Sequence, residues 1–248
     1  PINPKKPMTF IGFSNYVKIL TSPDFYSALG VTVLFTLSVV ILSTALGLAV
    51  AILINRNFVG KKTVKALILL PYIVPTIALI FAWKYIFNNT YGIVNFLVVD
   101  VLNLSQEAPL WFDRPISAFA LVVVFCVWKF YPYAFISFYS ILQTIDRTLY
   151  EAAQIDGANR WQQFRVITLN EVKPVLMTVV TLRSIWVFYM YTEVALLSSQ
   201  MNTASVFLYN NAFARQDFGK AAAISILLFL IIFAFIMIVR RRVFKNDK

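Results

Sequence analysis

Three charged side chains lie inside otherwise apolar stretches of this chain: Lys129, Arg183 and Glu193. A charge in hydrocarbon is costly, so such residues usually face the interior of a helix bundle. They mark either a path for a polar solute or a contact with an acid or a carbonyl group that fixes helix packing. The neighbouring residues leave both interpretations open.

Polar side chains recur around these charges at helical spacing, which places them on one face of a helix. The first stripe consists of Cys126, Lys129, Tyr133, Ser137 and Ser140, and the second of Arg183, Trp186, Met190 and Glu193. Pro132 has no amide hydrogen to donate to the carbonyl of Trp128, so we expect a kink beside Lys129. Donors beside aromatic faces suit sugars, because the rings cover C–H patches while the donors reach hydroxyl groups.

The composition excludes several kinds of catalytic or metal site. The sequence has no histidine, which removes Ser-His and Cys-His catalysis and any histidine ligand to zinc or haem. The single cysteine, Cys126, lies in an apolar run, where a packed thiol is expected. Serine–lysine chemistry through Lys129 is compatible with the composition, but no motif supports it. We therefore expect a chain that is not an enzyme.

The composition indicates a membrane protein, with 60% hydrophobic and 13% charged residues and a mean hydropathy of +0.74. A membrane-spanning helix needs about 20 mostly apolar residues. Five segments meet this requirement: 28–54, 64–87, 116–142, 174–197 and 220–240. Because they do not alternate as barrel strands do, the sequence predicts an all-α, polytopic membrane protein with five spans.

Lysine and arginine are unevenly distributed over the connecting segments. Thirteen lie in the loops 55–65 and 143–173 and in the tail from residue 240, against six on the other side. By the positive-inside rule the richer side is cytoplasmic, so the loops 88–115 and 198–219 face outward. The net charge of +11 is then a topology signal, and no nucleic-acid partner is expected. Five spans place residue 1 outside, and we expect at least one further helix before it.

The cytoplasmic loop 143–173 belongs to the predicted membrane domain, 28–240, which lies between an outer segment, 1–27, and a cytoplasmic tail, 241–248. Two apolar patterns lie on either side of Gly157: Leu149, Ala152, Ala153 and Ile155, then Trp161, Phe164, Val166 and Ile167. Glycine tolerates the left-handed conformation that ends a helix, so the loop is predicted to form two short amphipathic helices with a sharp bend. They lie on the lipid surface or form a docking surface for a cytoplasmic protein. Four basic and four acidic residues favour docking, since a membrane-surface helix usually has a basic face.

Two tripeptides in this loop, Glu151-Ala152-Ala153 and Asp156-Gly157-Ala158, resemble the EAA motif of permease subunits in bacterial ABC importers, as do Phe164, Ile167 and Leu169 after them. Segments matching the same family recur along the chain: 10–16 (FIGFSNY), 70–75 (LPYIVP), 128–133 (WKFYPY), 142–145 (LQTI) and 209–213 (YNNAF). The set looks like the carbohydrate-uptake branch, similar to the first maltose or glycerol-phosphate permease subunit. The resemblance implies a type I importer core in the bacterial inner membrane, transporting an oligosaccharide or sugar derivative.

The resemblance also implies a division of labour between subunits. Two separate ATPase subunits would bind ATP and magnesium, so this chain would hold no cofactor. A surface groove of the ATPase would receive residues 145–168 and drive alternating access. A second, related permease subunit in a heterodimer and an extracytoplasmic solute-binding protein would complete the complex. In agreement, Gly60-Lys61-Lys62-Thr63 lacks the upstream glycine and spacing of a phosphate-binding loop.

Two sets of site residues follow from the resemblance. The expected ATPase-coupling residues are Glu151, Ala152, Ala153, Asp156, Gly157 and Ala158, in which the glutamate pairs with a basic residue of the ATPase and the glycine makes the turn. The expected substrate pathway has three parts. Lys129, Phe130 and Tyr133 fall where the maltose permease subunit lines its sugar site. Trp186, Val187 and Met190 fall on a second lining segment, and Arg183 completes the set. A lysine at position 129 favours an acidic or phosphorylated saccharide.

The chain departs from the family pattern in three places. Asp146 stands where proline is usual, Leu169-Asn170 where Leu-Pro is usual, and Ser198-Ser199-Gln200 where a glycine-rich turn is usual. A secondary transporter or channel without an ATPase partner is the alternative function. That mechanism needs internal repeats and a relay of intramembrane acids, whereas Glu193 is the one acid within a predicted span and no repeat is visible.

Overall fold

The computed structural model describes residues 11–244, with side chains through Ile238, and this part of the chain contains helices and no strand. The helices are α1 (Ser14–Leu20), α2 (Pro23–Ile54), α3 (Lys61–Ile73), α4 (Thr76–Ile86), α5 (Ile93–Phe96), α6 (Pro115–Leu142), α7 (Arg147–Ile155), α8 (Arg160–Gln163), α9 (Leu169–Phe188), α10 (Thr192–Leu197), α11 (Ala204–Tyr209) and α12 (Phe218–Phe244). Three π-helical segments continue α5, α8 and α11: Leu97–Val101, Phe164–Thr168 and Asn210–Ala214. The all-α prediction is confirmed. Residues 1–10 of the predicted outer segment and 245–248 of the predicted tail lie outside the described residues.

Three of the described helices are long and apolar enough to cross a membrane: α2, α6 and the part of α12 over Phe218–Ile238. Helices α3 and α4 meet the same requirement only as a pair, and they are bent by 93° at a short break, so three or four of the described helical segments qualify by length and composition. The segment 174–197, predicted as one span, is interrupted, because α9 ends at Phe188 and α10 begins at Thr192. The predicted count of five is therefore not confirmed.

The break between α3 and α4 follows from a proline. Val74 is extended, with φ −66° and ψ 137°, and Pro75 precedes the first residue of α4. The ring of a proline clashes with a helical residue before it, so Val74 is forced out of the helical region. The carbonyl group of Val74 is consequently left without the helical partner that it would have in a continuous span.

The chain forms two compact units, each with its own apolar core. The first contains residues 11–36, 110–119 and 185–244 of the described chain, and its core includes Phe25, Ala28, Phe188, Phe207, Ile224 and Leu228. The second contains residues 37–109 and 120–184, and its core includes Ala51, Ala134, Phe135, Phe138, Val172 and Val179. In the second unit a Cβ added at Gly47 would lie 2.5 Å from the Ala134 Cβ and 2.8 Å from the Phe135 amide nitrogen. Close contact between α2 and α6 therefore depends on a residue without a side chain.

Candidate functional site

The loop between α6 and α9 begins with a side-chain cap. Asp146 is the N-cap of α7, and its carboxylate accepts a hydrogen bond of 2.9 Å from the amide of Thr148. Hydrogen bonding by Thr148 lowers the pKa of Asp146 below its ordinary value, because the bonds favour the ionised carboxylate. Aspartate thus starts this helix by side-chain capping at the position where the sequence analysis noted a departure from proline.

Helix α7 ends in a left-handed turn at Gly157, as the sequence predicted. Gly157 has φ +80°, and its amide donates to the carbonyl of Gln154 at 3.0 Å. The next amide, of Ala158, donates to the carbonyl of Ala153 at 2.8 Å. This pair of bonds is the Schellman motif, which satisfies the last carbonyls of a helix and fixes the direction in which the chain leaves it.

Helix α8 starts with a reciprocal cap. The side chain of Asn159 accepts from the amide of Gln162, and the side chain of Gln162 accepts from the amide of Asn159, at 2.9 and 2.7 Å. Gln163 also donates through Nε2 to the carbonyl of Ala158 at 2.8 Å. Such capping boxes hold the beginning of a helix in place. The two predicted helices and the bend between them are confirmed, and both sides of the bend are held by hydrogen bonds.

The helix pair has an inner and an outer side. On the inner side, the hydroxyl groups of Tyr150 and Thr168 form a hydrogen bond of 2.8 Å that joins α7 to the π-helical segment after α8. On the outer side, Ile155 is 87% exposed and Trp161 is 67% exposed. We define the coupling surface as the exposed side chains of Leu149, Glu151, Ile155, Asp156, Trp161 and Val166. Apolar groups displayed on a rigid element with two exposed acids are typical of a protein-binding surface.

The expected coupling residues divide between this surface and the turn. Glu151 and Asp156 are exposed on the coupling surface, and Ala152 is also exposed. Ala153 and Ala158 are half-buried and contribute the backbone groups of the turn at Gly157. The six residues therefore lie on one continuous element, where their docking role stays a prediction.

The buried charge of Lys129 lies at the break between α3 and α4. Its side chain is 3% exposed, and Nζ donates to the carbonyl of Val74 at 3.4 Å. That carbonyl is the group that Pro75 leaves outside the helices, so Lys129 supplies a partner that the backbone does not. Val74 did not figure in the sequence-based site, although the proline after it gave a signal for an unpaired carbonyl.

The ring of Phe130 is close to two cationic groups. The Arg183 guanidinium carbon is 4.5 Å from the ring centroid, and the Lys129 ammonium nitrogen is 5.5 Å from it. Arg183 is itself 1% exposed. Cation–π contacts of this length stabilise buried cations, and here they gather three of the predicted pathway residues at one place.

The other predicted pathway residues differ in their exposure and in their contacts. The Tyr133 ring, one turn along α6, packs at 6.4 Å from that of Tyr72. In the first unit Trp186 is half-exposed, whereas Val187 and Met190 are buried. From the first polar stripe, Ser137 and Ser140 donate back to carbonyls of α6, at 2.9 Å each. The assignment of a pathway to these residues stays a prediction.

Comparison with known proteins places the chain in a family. Residues 43–245 match the profile of the binding-protein-dependent transport system inner membrane component. The chain belongs to this family. It is therefore an inner-membrane permease component of a transporter that depends on a binding protein, as the resemblance of its loop to the EAA motif implied.

Several curated proteins are similar to this permease over nearly its whole length. The inner membrane ABC transporter permease protein YcjO of Escherichia coli is 57% identical over 246 residues, which are 99% of this chain and 84% of YcjO. The trehalose/maltose transport system permease protein MalF of Thermococcus litoralis is 35% identical, over 95% of this chain and 79% of MalF. The sulfoquinovosyl glycerol transport system permease protein SmoG of Agrobacterium fabrum is 32% identical, over 90% of this chain and 73% of SmoG.

The fold matches that of a solved importer. A chain in the crystal structure of a bacterial ABC transporter involved in the import of the acidic polysaccharide alginate superposes with a TM-score of 0.88. The match covers 97% of the permease and 86% of that chain, at 19% sequence identity. The permease therefore has the fold of a type I ABC importer subunit.

Proposed function

We propose that this permease imports a carbohydrate, an oligosaccharide or a sugar derivative, as one half of a transmembrane pair. The names of its relatives support this substrate class, because one is a trehalose/maltose permease and another transports sulfoquinovosyl glycerol. The second half of the pair is a related permease subunit in a heterodimer. An extracytoplasmic solute-binding protein delivers the sugar.

Energy for transport comes from two ATPase subunits, one of which receives the loop 145–168 of this chain in a surface groove. The observation that carries this proposal is the coupling surface, where exposed Ile155 and Trp161 stand on helices held by the Schellman turn and by two caps. A rigid helix pair transmits a displacement of the ATPase to the spans, whereas a loose loop would absorb it. ATP and magnesium bind to the ATPase subunits, and no catalytic role falls to this chain.

Copurification of the ATPase tests the coupling role. The permease is solubilised from its native membrane in mild detergent, and bound proteins are identified by mass. We expect an ATPase with the wild-type chain and its loss with Glu151→Lys, which reverses an exposed charge on the coupling surface. Glu107→Lys is the matched control, since it makes the same change at an exposed position outside this loop. If Glu151→Lys and Glu107→Lys both recovered as much ATPase as the wild-type chain, the proposed coupling role would be wrong.

We also propose that Lys129, Phe130 and Arg183 form part of the sugar path, with Tyr133 next to them on α6. Buried cations in a membrane protein are usually functional, and here two of them contact one aromatic ring. Lys129 then favours an acidic or phosphorylated saccharide. The contact of its ammonium with the Val74 carbonyl supports the other possibility, that the lysine fixes the bent span.

Substrate competition separates the two roles of Lys129. Uptake of a labelled sugar in proteoliposomes is measured with neutral and acidic disaccharides as competitors, for wild type and Lys129→Met. A contact with the substrate predicts a changed ranking of competitors, while a packing role predicts reduced stability with the ranking kept. Lys84→Met, which removes an exposed lysine from α4, is the control.

A further inference from the structure

The connector between the bent pair of helices α3 and α4 and helix α6, residues 87–114, presents an apolar stripe to its surroundings. Most of the stripe lies on α5 and the π-helical segment Leu97–Val101, and its last residue follows that segment. We define the outer stripe as Ile93, Phe96, Leu97, Val101 and Leu104, whose side chains are between 42% and 73% exposed. Single exposed apolar side chains are common on proteins, but a group of them that recurs at helical spacing indicates a binding surface.

The opposite side of the same segment is fixed to the protein through one amide. Asn95 is 5% exposed, and its Nδ2 lies within hydrogen-bond distance of three carbonyl oxygens, those of Asn88, Asn89 and Pro109, at 3.3, 3.0 and 3.5 Å. These contacts join the beginning of the connector to its far end. The orientation of the helix is thereby set, so that the amide points inward and the outer stripe points away.

The position of the connector in the chain indicates what covers the stripe. It follows α4 after six residues and is followed by the membrane-spanning helix α6, which begins at Pro115. Tyr85, near the end of α4, and Tyr91, just before α5, are both largely exposed, and their ring centroids are 5.3 Å apart. Tyrosine is enriched where membrane helices leave the hydrocarbon. The outer stripe therefore follows, in the chain, two exposed tyrosines of the kind that membrane proteins place at the membrane interface.

We propose that α5 and its π-helical continuation lie in the membrane interface, with the outer stripe inserted among the lipid acyl chains of the leaflet next to this connector. Interfacial helices bury an apolar face about 5–10 Å below the headgroups. The amide contacts of Asn95 hold the helix in this orientation. The connector, which the sequence analysis placed in the outward-facing loop 88–115, thus rests in the bilayer and fixes the end of the bent span against it.

Spin labels on the connector test the proposal in the complete transporter. Cys126, the single cysteine and a buried one, is first replaced by alanine. Nitroxides are then attached at Ile93→Cys, Leu97→Cys and Glu107→Cys. The complex is reconstituted in vesicles of phosphatidylethanolamine and phosphatidylglycerol. Power saturation measures the accessibility of each nitroxide to oxygen, which partitions into lipid, and to a nickel chelate, which stays in water. Glu107, exposed in the same connector, is the matched control.

Labels in lipid give an oxygen-to-nickel accessibility ratio that is several-fold higher at positions 93 and 97 than at 107. A ratio at 97 equal to that at 107 would place the stripe in water and overturn the proposal. Low accessibility to both reagents would mean that a protein covers the stripe. Loss of oxygen accessibility on addition of the solute-binding protein would mean the same. Either result would overturn the proposal. Each labelled chain must retain sugar uptake, and Phe96→Cys replaces a stripe variant that does not. If the outer stripe does not insert into lipid, the copurification of the ATPase is unaffected. The two experiments therefore distinguish a wrong proposal about the stripe from a wrong proposed function.

Discussion

Replacing Gly157 by alanine measures how much one left-handed residue contributes to the stability of the turn in the coupling loop. An added Cβ at this position meets no atom within 4 Å, so the substitution introduces no clash. The cost is in the backbone, because φ is +80° and a left-handed conformation costs a residue with a side chain about 1–2 kcal/mol. A free-energy change of this size shifts the equilibrium between the closed and opened turn by a factor of about 5–30.

Hydrogen exchange followed by mass spectrometry measures this shift directly. The Schellman turn protects the amides of Gly157 and Ala158, which donate to Gln154 and Ala153. We expect the amides at 157 and 158 to exchange about 5–30 times faster in Gly157→Ala than in wild type. Gly157→Asn should lie between the two, since asparagine tolerates this conformation better than alanine.

The matched control for this measurement is Gly30→Ala. Gly30 also has open space around its Cβ position, but it lies in the interior of α2. Alanine is preferred to glycine by roughly 0.5–1 kcal/mol inside a helix, so this variant should leave exchange at 157 and 158 unchanged. Equal exchange in wild type and Gly157→Ala would refute the argument, because it would mean that the turn does not depend on the left-handed residue.

Three further predictions concern packing, the buried lysine and pH. Gly47→Ala should lower the free energy of unfolding in detergent by about 1–3 kcal/mol, because the new methyl group meets backbone atoms of α6; a change no larger than that of Gly30→Ala would contradict it. Lys129→Met should lower the same quantity by about 1–3 kcal/mol, because it removes the hydrogen bond to the half-buried Val74 carbonyl at the bend. An unchanged denaturation midpoint would contradict this prediction. The pKa of Asp146 is lowered in the folded chain, so its cap stabilises α7 above the ordinary carboxyl pKa, and this contribution is lost as the pH falls through the lowered value. Exchange at the Thr148 amide, corrected for the intrinsic effect of pH, should rise over that acidic range in wild type and not in Asp146→Asn, and a parallel rise in both would exclude the carboxylate as the cause.

The departures from the family pattern show how side chains replace backbone preferences. Asp146 caps α7 through its carboxylate. Asn170 donates through Nδ2 to the carbonyl of Val166 at 2.7 Å, at the start of α9. The hydroxyl of Ser198 donates to the carbonyl of Phe112 at 2.7 Å and accepts from the amide of Gln200 at 3.0 Å, which holds a turn that lacks glycine. Each departure noted in the sequence therefore corresponds to a polar side chain that satisfies a local backbone group.

Local signals in the sequence were sufficient to predict the helices and the bend of the coupling loop. Periodic apolar residues and a glycine at the right spacing predicted two helices and the bend at Gly157, and the caps that hold them are made by near neighbours in the chain. Interactions of this kind depend on residues within one or two helical turns, so they can be read from the sequence. The helix break near Thr192 gave no comparable signal, because the segment 174–197 has no proline or glycine after Pro174.

Sequence alone determined that this chain is an α-helical membrane protein with two short helices and a bend in the loop 143–173, because hydrophobic length, apolar periodicity and a glycine that ends a helix are properties of contiguous residues. Tertiary structure alone decided which group Lys129 meets and which side of the connector faces outward. The lysine and the Val74 carbonyl are 55 residues apart in the chain. The amide of Asn95 likewise reaches Pro109, 14 residues away. Contacts over such separations depend on how the helices pack against one another, and no local pattern of residue types encodes that packing.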